Sequence, residues 1–402
     1  MNPNSKTILY VTYDGLSDPV SQSQVLPYLE KLSQNGISYH ILSFEKKERL
    51  ATNEDKIWEK IEKNNWIWYP EDYTKTPAVL STLYDIDKGK EKIRKILKYN
   101  PNISAIHVRS YIPMMMAFSI AKKNNIPIIF DMRGFWADER VDGHLWSLNN
   151  PIYRAVYNYF KKKERLWITN SDAVVVLTNA AKNYLINHFK VSPNNVYVIP
   201  CATDIDLFDP AKIEMKYDNH TFNLLYFGSA ENWYLFDEMF EFYNEYRKFF
   251  SPSKFILILY SKNSEILEKI DKYDWHDEVE IIYNVPRAAM PEYINLAAHV
   301  IFFLNNNFTR IATSPTKFGE TIAMGKPVIT NKGIGDLDEI ENDKCGVVID
   351  KFDVDQFTNA CQRLKNTKFD SKVIRDNALQ TYDLNLLCEK YKIIYDTFSK
   401  PK

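Results

Sequence analysis

From end to end the chain alternates two kinds of segment: short apolar runs rich in β-branched and aromatic residues, and helix-length amphipathic stretches between them. A strand that is apolar on both faces needs helices above and below it, so this alternation predicts a parallel sheet covered on both sides, an α/β fold. In the first half strands are expected at 7–13, 38–44, 104–109, 127–131, 173–177 and 196–199. Between the first two, Val25, Leu26, Leu29 and Leu32 share one helical face, Pro27 sits in the first turn, where it is tolerated, and Gly36 marks the stop. The pattern then starts again, with strands expected at 222–227, 255–260, 279–283, 299–304, 327–330 and 346–349. A length of 402 residues accommodates two such doubly wound domains. The join is expected in 201–221, a polar stretch without a sustained period. The resulting division is 1–205, 206–380 and a terminal helix, 381–402, packing back on the first domain.

Composition removes several classes. Hydrophobic residues at 45% and charged residues at 26% describe a globular chain rather than a disordered or fibrous one. No window approaches the roughly 18 uncharged apolar residues of a membrane span, and MNPNSKT lacks the pattern of a leader, so a cytoplasmic protein is expected. Cys201, Cys345, Cys361 and Cys388 form no CxxC pair and read as free thiols, with neither a zinc site nor a disulfide framework. The net charge of −1 hides an asymmetry: residues 1–200 carry 27 Lys and Arg against 20 Asp and Glu, and residues 201–402 carry 24 against 32. That density is far below that of a nucleic-acid binder. A basic aromatic stretch, Lys161, Lys162, Lys163 and Arg165 beside Tyr157, Tyr159, Phe160 and Trp167, suits either peripheral contact with an anionic membrane or a solvated helix face.

Doubly wound sheets bind ligands outside the carboxyl ends of their strands, so two of them facing each other are expected to share a cleft, and the loops after the strands carry the chemistry. The first such loop, Tyr13 to Gln24, offers small and hydroxyl residues with free amides at a helix start, where the macrodipole favours an anion. A plain turn capped by Ser or Gln is the alternative, and GxGxxG is absent. The second, Ile128 to Arg140, is an apolar strand that ends abruptly in charge. Trp136 offers a face for a sugar ring, while Asp138, Glu139 and Arg140 also suit an ordinary helix start with exposed ion pairs. The third, Arg310 to Ile329, enters a short helix through Ser314, Pro315 and Thr316, then breaks at Gly325 and Pro327. Lys317 and Arg310 supply point charges for a diphosphate there, and Glu320, about one turn on, suits a ribose diol.

These segments resemble the retaining glycosyltransferases of family 4, which have the GT-B fold of two facing Rossmann-like domains. The resemblance spans nearly the whole chain and rests on YDGLSDPVSQSQVLPYLEKL, SDAVVVLTNAAKNYL at 171–185, VIPCATDIDLFDP at 198–210, YFGS at 226–229 and SPTKFGETIAMGKPVI at 314–329. It implies a nucleotide diphospho-sugar on the second domain and a glycan or lipid-linked acceptor on the first. Glu320 matches the second glutamate of the family's Glu-x7-Glu pattern; the first position holds Ala312. Many relatives carry Arg and Lys in the loop where this chain has Gly228, Ser229 and Asn232, so Lys317 and Arg310 are expected to bear the diphosphate. Further donor contacts are expected from Gly15, Ser17, Val285, Ser314, Pro315 and Thr316, and acceptor contacts from Asp14, Gln22, Gln24, Arg109, Trp136 and Glu139. Catalysis is expected to fall to Asp131, Arg133, Lys317 and Glu320, without a metal, since Asp85/Asp87, Asp204/Asp206 and Asp336/Asp338 lack a suitable strand context. The reaction implied is retaining sugar transfer in the synthesis of a bacterial surface polysaccharide or glycoconjugate. A nucleotide-sugar epimerase on the same scaffold and a noncatalytic partner subunit are the alternatives.

Overall fold

The computed structural model describes residues 6–214, 221–230 and 233–398. The chain forms two compact units: residues up to Ile199 together with those from Leu384 onward, and Pro200–Asp383.

The first unit is built on a parallel sheet of β1 (Lys6–Thr12), β2 (Ile37–Glu45), β3 (Ile67–Asp72), β4 (Ile103–Arg109), β5 (Ile128–Asp131), β6 (Ala173–Val176) and β7 (Val196–Val198), in the order β3-β2-β1-β4-β5-β6-β7. Its central strands are buried along their length, which is why they read as continuous apolar runs. β3 escapes the sequence reading because it is an edge strand. Its IWYPED alternates between exposed and covered positions, and Pro70, which has no N–H to give to a ladder, is tolerated only at such an edge. The opening loop does not run straight into the long helix. Pro19–Gln24 forms a short helix of its own, Val25 breaks it at φ −123°, and Leu26–Gln34 follows with Pro27 in its first turn. Gly36 then takes φ +87°, a conformation that glycine adopts at little cost.

The second unit repeats the scheme with β8 (Leu224–Gly228), β9 (Phe255–Leu259), β10 (Val279–Tyr283), β11 (His299–Ile301), β12 (Val328–Asn331) and β13 (Gly346–Ile349), in the order β10-β9-β8-β11-β12-β13. Phe240, Phe242, Tyr243 and Tyr246 of the helix Phe236–Phe249 are fully buried, and Tyr243 also stacks on Phe255 of β9 at 5.1 Å. Each such ring contributes about 1.5–3 kcal/mol by leaving water.

The unit boundary falls at Ile199/Pro200 rather than at 205/206. Thr203 pairs with Asp383, and its amide donates to the Tyr382 carbonyl at 2.8 Å, which fixes this stretch to the second unit. The helix Leu384–Asp396 belongs to the first unit. There Tyr391 meets Tyr28 edge-on at 5.4 Å, and Lys6 Nζ donates to the Tyr395 carbonyl at 2.7 Å. Both sheets reverse their strand order at one place, between β1 and β4 and between β8 and β11, the points at which a doubly wound sheet opens to a ligand.

Candidate functional site

In the second unit, three loops leave the carboxyl ends of β8, β10 and β11, and the last leads into the helix Thr316–Ala323. On this helix Lys317 and Glu320 are each 6% exposed. The Lys317 ammonium group lies 4.0 Å from the ring centre of Tyr226 and 3.9 Å from that of Tyr234, with Phe302 and Phe227 just beyond. Among the described residues, Lys317 Nζ is buried without a hydrogen-bond partner. Burial holds its pKa well below the usual lysine range, against the opposing pull of Glu320. Gly228, which ends β8 at φ +139°, makes room for it: a Cβ there would lie 2.8 Å from Nζ.

Glu320 Oε1 accepts from Arg287 Nη1 at 2.5 Å, and the Arg287 guanidinium lies over the Phe208 ring at 5.2 Å. Burial raises the Glu320 pKa, while Arg287 and Lys317 pull it down. Arg310, 8% exposed, sits in the turn Phe308–Ala312 with its guanidinium 4.3 Å from the ring centre of Trp233. The expected donor residues Gly228, Ser229, Val285, Arg310, Ser314, Pro315, Thr316, Lys317 and Glu320 thus all fall in or directly after these loops; Asn232 lies outside the described residues. Ser314 and Ser229, like Glu320, are engaged within the chain: Ser314 Oγ accepts from the Cys201 amide at 3.2 Å, and the Ser229 carbonyl accepts from Tyr226 at 2.5 Å. Ala312, at the missing first glutamate, is 5% exposed.

In the first unit, Arg109 ends β4 and Asp131 ends β5. Asp131, 2% exposed, lies 3.7 Å from Arg109 Nη1, 3.8 Å from Arg133 Nη1 and 3.6 Å from His107 Nε2, and accepts from the Tyr391 hydroxyl at 3.3 Å. Burial tends to raise its pKa, but Arg133, His107 and Arg109 outweigh that and hold it below the usual carboxylate range. Arg133 takes φ +64°, which turns the chain sharply after the strand. His107, inside β4, accepts or donates at Nδ1 to the Tyr395 hydroxyl at 2.7 Å and is packed as a core residue. Asp14 Oδ2 lies 3.7 Å from Arg109 Nε, and Gln24 is buried near the same cluster.

Two expectations for this unit need correction, at the opening loop and at Trp136. The amides of the opening loop are not free: Asp18 takes that of Gly15, and the buried Glu45 accepts from Leu16 N at 2.7 Å, Ser17 N at 3.2 Å and Ser17 Oγ at 2.7 Å. Gln22 Nε2 closes the loop onto the Leu16 carbonyl at 2.7 Å. A carboxylate of the chain therefore already occupies the place assigned to an anion at Gly15 and Ser17. Trp136 does not present an open ring. Phe160 at 4.7 Å, Trp146 at 5.4 Å, Tyr111 at 6.0 Å and the Arg140 guanidinium at 4.9 Å surround it. The basic aromatic helix, Pro151–Asn170, turns part of its set inward. Lys161 pairs with Asp138 at 2.6 Å and with the buried Glu164 at 2.5 Å, and Phe160 and Trp167 are buried. Glu139 folds back on Gly134, where a Cβ would collide with it.

Sequence reasoning did not single out Arg287 as the partner of Glu320, Tyr226 and Tyr234 as the walls around Lys317, or Glu45 as the clamp of the opening loop. Among the described residues, no cluster of three His, Cys, Asp or Glu is placed to hold a metal ion, and no helix is long and apolar enough to cross a membrane.

The sequence profile described as Glycosyltransferase Family 4 matches residues 23–207, and that described as Glycosyl transferases group 1 matches residues 224–381. Comparison with curated protein sequences finds no match. Among solved structures, a glycosyltransferase from Rickettsia africae is 17% identical with a TM-score of 0.72, covering 98% of each chain. HepE from Anabaena, in complex with UDP and glucose, is 12% identical with a TM-score of 0.67, covering 98% of this chain and 100% of that one. A protein described as a putative UDP-N-acetylglucosamine 2-epimerase from Listeria monocytogenes is 10% identical with a TM-score of 0.60, covering 99% of each. All three are similar to this chain across both of its parallel-sheet units, and at these identities they bear on the fold alone.

Proposed function

The chain belongs to glycosyltransferase family 4, and from that premise we propose that it moves a sugar, with retention at the anomeric carbon, from a nucleotide diphospho-sugar to a glycan or lipid-linked acceptor. The setting we propose is the synthesis of a bacterial surface polysaccharide or glycoconjugate. One observation carries the donor half of this reading: on a single buried helix, a lysine Nζ with no hydrogen-bond partner among the described residues stands one turn from a buried carboxylate. A diphosphate supplies the acceptors that Lys317 lacks, and a ribose diol supplies donors for Glu320. The UDP bound by the similarly folded HepE is in keeping with this assignment.

As the glycosidic bond breaks, negative charge grows on the leaving diphosphate. Lys317 and Arg310 then stabilise the transition state more than the ground state, and they provide the positive charge without a metal. On the first unit, Asp131 is enclosed by Arg109, Arg133, His107 and Tyr391. A nucleophile for double displacement must reach the anomeric carbon. That enclosure therefore favours same-face attack by the acceptor hydroxyl, assisted by the departing phosphate oxygen, with Asp131 fixing Arg109 and Arg133. Contact with an anionic membrane surface finds support in the outer face of Pro151–Asn170, where Ile152, Tyr153, Tyr159 and Leu166 are exposed beside Arg154, Lys162 and Arg165. Flotation with anionic vesicles at low salt tests that contact, and its absence there removes it.

The donor assignment is tested by a thermal-shift panel of UDP, GDP, ADP, CDP and dTDP and their sugars, with and without EDTA, on wild type and Glu320→Ala. A stabilisation by one base family that survives EDTA and collapses in the variant supports the assignment. No shift with any nucleotide overturns it.

A further inference from the structure

We propose that a nucleoside diphosphate binds the second unit together with about one proton, taken up by the Lys317 side chain as the anion arrives. This rests on the donor reading above and adds to it the charge state of the free site. Three observations converge on Lys317. Among the described residues its Nζ is buried and donates to nothing, although an ammonium group has three N–H donors. Tyr226 and Tyr234 close on it at 4.0 and 3.9 Å, a distance that leaves no layer of water between nitrogen and ring. Gly228, the last residue of β8, lies directly against it, so the nitrogen stands at the strand-order reversal, where a ligand enters.

The balance of forces in the empty site works against the charged form. Moving an ammonium group out of water is strongly unfavourable even after relaxation. The two near rings return only part of that, and a neutral amine keeps some of it through weak N–H contacts to the same rings. Among the described residues, the charged and titratable groups around Lys317 are few. On its own helix stands Glu320, whose Oε1 is already engaged by Arg287 from the loop after β10. On β8 stands Tyr226, whose hydroxyl donates to the Ser229 carbonyl, and Tyr234 stands in the loop beyond. Arg310, held over Trp233 in the loop after β11, adds a like charge to the same region. The direction of the Lys317 pKa agrees with this balance. A bound diphosphate reverses it, because phosphate oxygens accept from Nζ and attract the charge, and the amine becomes an ammonium ion.

Linkage gives the sign. If the free site holds fewer protons than the complex, affinity falls as pH rises, by up to about tenfold per pH unit between the free and bound pKa values. The test is isothermal titration of UDP, with GDP, ADP, CDP and dTDP as further arms, at pH 7.5–8.5 in HEPES, TAPS and Tris, whose ionisation enthalpies differ. The expected result is a binding heat that scales with the buffer's ionisation enthalpy, corresponding to about one proton taken up, together with about a tenfold loss of affinity across that range. Lys317→Arg, whose cation does not titrate there, is expected to bind without uptake; Glu320→Gln is expected to keep it. Binding without proton uptake in the wild type overturns the proposal and leaves the donor reading standing. Uptake that persists in Lys317→Met overturns it as well, by placing the proton elsewhere. No heat with any of the five nucleotides removes the donor reading itself.

Discussion

Arg287 Nη1 donates to Glu320 Oε1 at 2.5 Å, which joins a side chain that is 42% exposed to one that is 8% exposed. The carboxylate is buried enough for its pKa to rise, and Arg287 is the first of the influences that oppose the rise. Replacing Arg287 by Met leaves burial to win, so Glu320 holds its proton to higher pH and ceases to accept from a sugar hydroxyl. Losing a hydrogen bond to a charged group costs roughly 1.5–3 kcal/mol, about 10- to 150-fold in affinity. The expected deficit in nucleoside diphosphate binding is largest at acid pH and shrinks as pH rises through the new Glu320 pKa. Dissociation constants measured from pH 5.5 to 8 check it.

Lys317 trades stability for its role. Its pKa is lowered in the folded protein, so the unfolded chain binds a proton there that the folded chain does not. Stability at this site is therefore complete only above the unfolded lysine pKa of about 10.4, and the deficit grows as pH falls below it. Lys317→Met, of similar length and without the orphaned nitrogen, is expected to raise the melting temperature by several degrees at neutral pH and to lower turnover at least 100-fold. A variant both less stable and inactive contradicts this account of the site.

Asp131 has the opposite sign. Its folded pKa is depressed, so its contribution is present above the unfolded value of about 3.9 and is lost as pH falls through the folded one. Asp131→Asn leaves Arg109 and Arg133 without their shared carboxylate and is expected to cost on the order of 3–5 kcal/mol in urea unfolding at pH 7. Turnover falls with it. Intact-mass spectrometry of wild type during turnover is expected to show no glycosyl adduct on Asp131; finding one replaces same-face attack with double displacement.

The opening loop is held from β2. Glu45, 1% exposed, accepts from Leu16, Ser17 and, at 2.6 Å, the Ser43 hydroxyl. Glu45→Ala orphans these donors, at about 1–3 kcal/mol for each that stays buried. Hydrogen exchange is expected to show the Leu16 and Ser17 amides losing protection before those of β1 do.

Much of this architecture is legible in the residues, because strands buried on both faces and helices with one apolar face leave distinct periods. β1, β2, β4 and β5 lie within a residue or so of their expected positions for that reason. β3 is hidden because an edge strand needs no continuous apolar run, and Pro70 speaks against one. At the site, SPTKFGE draws attention to Lys317 and Glu320 by its own composition. What surrounds them is not local: Arg287 lies 33 residues from Glu320, and the rings on Lys317 come from β8, the loop after it and the segment after β11. The opening loop misleads for the same reason. Its free amides are a property of the segment, and the carboxylate that takes them arrives from the neighbouring strand.

The central claim is that Lys317 holds the diphosphate and Glu320 the ribose of one donor. The most direct test compares affinities for UDP and uridine, or for whichever base the panel selects, in wild type, Lys317→Met and Glu320→Ala. Lys317→Met is expected to remove most of the advantage of the diphosphate over the nucleoside while leaving nucleoside binding nearly unchanged, and Glu320→Ala to weaken both ligands alike. Equal losses for both ligands in Lys317→Met, or an intact diphosphate advantage in that variant, contradict it.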